Sequence, residues 1–112
     1  MYSRIELHYY GVIKMLNFLL DLDISPEEIY DINQNAPSNI VELLELSRNL
    51  VKETLEYFKS LGVTNFVDLI CKRSDLVLMN TLDLQEILIK IDNDLLIDLI
   101  NHNIDELIEF GV

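Results

Sequence analysis

The chain of 112 residues has no tryptophan, one cysteine, two prolines and three glycines. Its single alanine is Ala36. So little glycine and proline argues against a turn-rich β fold. With half of the residues hydrophobic, it argues against disorder as well. The lone Cys71 cannot form an internal disulfide. Between Ile70 and Lys72 it reads as a small core residue, although Lys72 and Arg73 beside it would favour a thiolate. Without tryptophan there is no stacking platform for bases. Bases in the other sense are scarce too: eight Lys and Arg face 20 Asp and Glu, for a net charge of −12. That field repels nucleic-acid backbones and anionic membranes and favours basic surfaces. Abundant Ile and Asn with almost no Ala fits the codons of an AT-rich genome, as in a low-GC bacterium, its phages or an AT-rich virus.

What the chain does have is helical periodicity. The clearest stretch is 38–63, with apolar residues at Ile40, Leu43, Leu44, Leu46, Leu50, Val51, Leu55, Phe58 and Leu61. Ser38, after Pro37, is placed to cap its first turn, and Gly62 to close its last in the left-handed conformation. This stretch is expected to be the spine of a single all-α domain over 1–112. A second long helix is expected over 3–22, apolar nearly all round. Such a helix is either central or covered by a partner, which makes Tyr9, Tyr10 and Phe18 candidate contacts of a homodimer or hetero-complex. Lys14 and Asn17 interrupt its apolar run and no small-residue cleavage site comes after it. Neither a signal peptide nor a membrane span is expected, and the chain is read as cytoplasmic.

Ser25-Pro26-Glu27-Glu28 spells a capped helix start, with Glu28 completing a capping box. After Gly62 the pattern becomes a series of short helices. Thr64 or Asn65, then Ser74, Thr81 and Asp92 are the expected caps, and each precedes apolar residues turned inward. Asn101-His102-Asn103 reads as a further break. The sequence Leu61-Gly62-Val63, then Leu69-Ile70, then Ser74-Asp75-Leu76-Val77-Leu78-Met79, then Leu84 and Leu88, resembles the helical repeat of mitochondrial transcription termination factors. In that family a Leu-Gly-Val-like corner opens one helix, a short second helix carries a Pro-x-Leu-Leu motif, and a third comes next. Ser74 stands here where the family has proline, and Phe110-Gly111-Val112 would start another corner. The resemblance covers 61–112 and implies a repeat-like array of short helices. The family's nucleic-acid binding rests on long basic solenoids and does not carry over to a short acidic chain.

Little in the sequence points to catalysis. There is no phosphate-binding glycine loop and no local Ser-His-Asp or Cys-His arrangement. Asp92-Asn93-Asp94 opens like a calcium loop but lacks the glycine at its sixth position. Asp98, His102 and Glu106 are spaced to share a face on an unbroken helix, with Asp105 as a further oxygen. The flanking asparagines argue that the helix breaks there, so no metal, cofactor or catalytic residue is assigned. The charge is the informative feature. Residues 83–112 carry eight acids against Lys90 alone. Asp92, Asp94, Asp98, Asp105, Glu106 and Glu109 alternate with Leu95, Leu96, Leu99, Ile100, Leu107 and Ile108. The acids are expected on one outer face and the apolar residues in the core. The function read from this is an acidic protein–protein interaction module, or an inhibitor that mimics a phosphate field on a basic partner. In size and charge it is similar to small acidic phage inhibitors such as anti-restriction and anti-CRISPR proteins. The alternatives are a homodimeric structural or regulatory protein and, behind it, a metal-dependent enzyme.

Overall fold

The structure, a computed structural model, describes residues 15–112. All of its regular elements there are helices: a 3-10 helix (Asn17–Leu22), then α1 (Pro26–Asn35), α2 (Ser38–Leu46), α3 (Arg48–Leu61), α4 (Phe66–Lys72), α5 (Ser74–Val77), α6 (Thr81–Leu88) and α7 (Asn93–His102), and a closing 3-10 helix (Ile104–Phe110). None of the helices among the described residues is long and apolar enough to cross a membrane. Tyr9 and Tyr10 lie outside the described residues, as does His8 and the start of the helix expected over 3–22.

That expected helix does not continue through Leu16, whose φ of 70° is left-handed. Beyond Leu16 the chain winds into a 3-10 helix, and its buried residues show why. Leu16, Leu19 and Leu22 are all buried, and they recur every three residues. A 3-10 helix has three residues per turn, so this spacing keeps all three on the core side. Phe18 is half-buried and packs against the same core. The closing 3-10 helix repeats the device, with Ile104 and Leu107 buried.

The expected spine is divided at Ser47, where φ is −102° and ψ is 23°. Val41 and Leu44 are buried before the break, and Val51, Leu55 and Phe58 after it. On one straight helix the steps of three and four through these positions would bring Arg48 onto the buried face. The break leaves Arg48 exposed. Leu50 is consequently only half-buried and Leu46 projects into solvent. Thr54, fully buried on α3, is satisfied by donating its hydroxyl to the Met79 carbonyl at 2.6 Å. That bond ties α3 to the turn after α5.

Caps fall mostly where short polar side chains precede apolar runs. Ser25 and Glu28 form the full capping box, with bonds of 3.1 and 3.2 Å. Asn65 caps α4 and Asp92 caps α7. Two expected caps are displaced by one residue: Asn80, not Thr81, caps α6, and Ser74 is the first residue of α5 rather than its cap. Ser38 likewise begins α2 behind Pro37 and makes no capping bond.

Helix ends recur in one form. At Asp23 the backbone N–H bonds to the Leu20 carbonyl and that of Ile24 to Leu19. At Gly62 the partners are Lys59 and, for Val63, Phe58. At Gly111 they are Ile108 and, for Val112, Leu107. Each corner residue is left-handed, with φ of 62°, 111° and 77°, and each precedes a buried β-branched residue. The elements leaving the first two corners, α1 and α4, pack on each other. The first 3-10 helix packs on α3, and α4 packs on the closing 3-10 helix.

Candidate interaction surface

The six carboxylates Asp92, Asp94, Asp98, Asp105, Glu106 and Glu109 are all exposed. Asp92 caps α7, Asp94 and Asp98 stand on it, and the other three stand on the closing 3-10 helix. They receive little compensation from lysine or arginine. Lys72 Nζ lies 3.5 Å from Asp105. Lys90, the one base of this segment, turns to the Gly111 carbonyl at 3.5 Å instead of an acid. His102 Nε2 is 3.9 Å from Asp98, with both side chains largely exposed. Helix α7 runs through His102 and ends at Asn103, so Glu106 belongs to a different element. Among the described residues no three His, Cys, Asp or Glu side chains gather as a metal site.

The expected separation of acids outside and apolar residues inside is only partly realised. Leu96, Leu99, Ile100 and Leu107 are buried as expected. Leu95 is 37 % exposed, Ile108 74 % and Phe110 42 %. The reason for Ile108 is the three-residue period of its helix, which turns Leu107 inward and its neighbour outward. The acidic surface is therefore interspersed with apolar side chains.

A second feature lies between α3 and α6. Tyr57 and Leu61 of α3, with Leu88 and Ile91, line an open groove of about 280 Å³. Ile89 forms its rim and is 84 % exposed. Leu82, seven residues earlier on the same side of α6, is 73 % exposed. Another groove, of about 320 Å³, separates the first two corners and is lined by Leu22, Asp23, Lys59, Thr64 and Phe66. It is crossed by Lys59, which donates to Asp23 at 2.7 Å and to the Leu22 carbonyl at 3.4 Å.

Asn101 has a role that its place in the sequence does not reveal. Its Oδ1 accepts from the backbone N–H of Thr64 at 2.8 Å and of Asn65 at 3.3 Å. Its Nδ2 donates to the Gly62 carbonyl at 3.2 Å. Asn65 returns the tie by donating to the Ile100 carbonyl at 3.4 Å. The Gly62 corner is thus locked to the last turn of α7. The partners are more than 35 residues apart, so no local spacing could have announced them.

Cys71 is half-buried and is not activated by the cations beside it. Burial, reinforced by the charges of Asp68 and Asp31, pushes its thiol pKa up and outweighs Lys72. No protein-family model, curated protein sequence or solved structure matches the chain.

Proposed function

We propose that this chain is a protein-interaction module that binds a basic protein surface through the acidic stretch over 92–109. The observation that carries the reading is the set of six exposed carboxylates with a single lysine contact, to Lys72, among the described residues. A cation-rich partner would meet them at little cost, because few internal ion pairs have to be broken. Leu95, Ile108 and Phe110 supply apolar contact among the charges, the mixture found where a polar rim surrounds apolar anchors. An inhibitor that covers a nucleic-acid-binding surface on its partner is the form of this role that the charge favours. The recurring corners at Asp23, Gly62 and Gly111 support a repeat-like helical array, akin in geometry to that of the termination factors.

The test is capture of partners from the native host, and then binding kinetics. Changing Asp94 and Asp98 to Asn, Asp105 to Asn and Glu106 to Gln should slow association several-fold at low salt. The difference should shrink as salt is raised. Unchanged kinetics in this variant would mean that the acids serve solubility alone.

A further inference from the structure

From the groove between α3 and α6 we infer a docking site for a helical segment with apolar anchors flanked by lysine or arginine. The inference rests on the reading of the chain as a binder of basic protein segments, and it adds a second apolar contact away from most of the acidic stretch. The floor is apolar, from Leu61, Leu88 and Ile91, with the Tyr57 ring beside them. Its volume, about 280 Å³, suits a few side-chain anchors rather than a whole cofactor. Ile89 and Leu82 extend the apolar strip along α6.

Charge selects the occupant. Glu53 stands one turn before Tyr57 on α3, Glu86 lies between Leu82 and Ile89 on α6, and Asp92 sits between the lining residues Ile91 and Asn93. All three are exposed, and none pairs with a cation among the described residues. The lysines of α3 are engaged elsewhere: Lys52 with Asp21 at 3.2 Å and Lys59 with Asp23 at 2.7 Å. Lys90 reaches toward Gly111. The groove therefore has an apolar floor, with Gln85 and Asn93 as polar lining residues, and the acids Glu53, Glu86 and Asp92 stand next to its lining residues on the same stretches of chain. A second copy of this chain is disfavoured as occupant, since it would bring −12 against −12. A helix laying apolar residues at i, i+3, i+4 and i+7 into the floor, with cations over the rim, matches both features.

The probe is a fluorescein-labelled synthetic helix of about sixteen residues, enough for some four turns, with leucines at those positions and lysines elsewhere. Its twin carries glutamate in place of lysine. Anisotropy titrations against the full chain should show binding of the lysine peptide and none of its twin. The double variant Leu82→Ser/Ile89→Ser changes only exposed residues, so its fold should persist, with an unchanged circular dichroism melt. It should weaken the lysine peptide about tenfold or more. Glu53→Gln/Glu86→Gln should weaken it several-fold at low salt, with the effect fading as salt rises. The variant altered at Asp94, Asp98, Asp105 and Glu106 should stay within about twofold of the parent in this assay. If that variant loses the peptide while Leu82→Ser/Ile89→Ser keeps it, the groove is not the site, though the basic-partner reading survives. Equal binding of the glutamate twin would overturn both. Failure of the lysine peptide to bind below about 100 μM would overturn the groove alone.

Discussion

The corners at Asp23 and Gly62 make the same pair of backbone hydrogen bonds with different residues. Gly62 adopts its φ of 111° without a side-chain penalty, whereas Asp23 holds 62° despite having a Cβ. Aspartate is among the few residues that tolerate this region. Its carboxylate also accepts from Lys59, which belongs to the helix ending at the other corner. The two turns are therefore coupled: the cation that steadies the first supplies the backbone carbonyl that closes the second. Ile24 and Val63, buried just after each turn, are the shared element. The comparison teaches that the corner is specified by its apolar flanks and bond pattern, with glycine as one of several residues that can fill it.

The strongest way to break this equivalence is to attack the shared element. Ile24→Asp and Val63→Asp each place an unpaired charge in the core and should each destabilise by about 4 kcal/mol or more. Chemical denaturation would read this directly. A folded Val63→Asp beside an unfolded Ile24→Asp would show that the second corner is held by something other than its apolar flank. Next in size is Asn101→Ala, which leaves the Thr64 and Asn65 amides without their side-chain acceptor. A loss of about 1–3 kcal/mol is expected, and it should fall on the Gly62 corner. Hydrogen exchange would localise it: faster exchange around Thr64 with the Ile24 amide unchanged is the expected pattern.

The smallest effects sharpen the difference between the two corner residues. Gly62→Ala should cost about 1 kcal/mol through its backbone alone, since the added Cβ would meet Ile97 Cγ2 at an ordinary 3.5 Å. Asp23→Gly relieves its backbone but discards the Lys59 contact, so its melting temperature at neutral pH should stay near the parent's. The distinction appears with pH. The hydrogen bond from Lys59 and its charge hold the Asp23 carboxyl below the usual range, as Arg73 does for Asp75. A carboxyl depressed in the folded state stabilises fully above its unfolded pKa and loses that contribution as pH falls through its folded value. The stability of Asp23→Gly should therefore fall less than the parent's below about pH 4. Parallel slopes in that window would mean that the Lys59 pair has no energetic consequence.

Much of this fold can be read locally. Scarce glycine and proline with 3.6-residue spacing identify an all-helical chain, and the box at Ser25 and Glu28 sits in four consecutive residues. Asp92 and Gly62 announce themselves in the same way. The break at Ser47 is not legible, because Leu46 and Leu50 look like core until the position of Arg48 is considered. The 3-10 helices escape because Leu16, Leu19 and Leu22 also satisfy part of an α-helical face. The first corner escapes because Asp23 lacks the mark that glycine gives Gly62. Of the interaction surface, the exposed acids can be deduced from composition and spacing. The groove cannot, since Tyr57 and Ile89 come from helices that meet only in the folded chain.

Cys71 offers a use that its position suggests. It is the sole thiol of the chain, and it belongs to α4. It is near enough to Asp31 of α1 to sense its charge, so it lies by the seam where the elements leaving the first two corners meet. Half-buried and with its pKa pushed up, the thiol should react slowly with a disulfide reagent in the closed structure and faster when that seam loosens. A faster labelling rate in a corner variant is then a one-atom sign that α1 and α4 pack less tightly, read without any added tag.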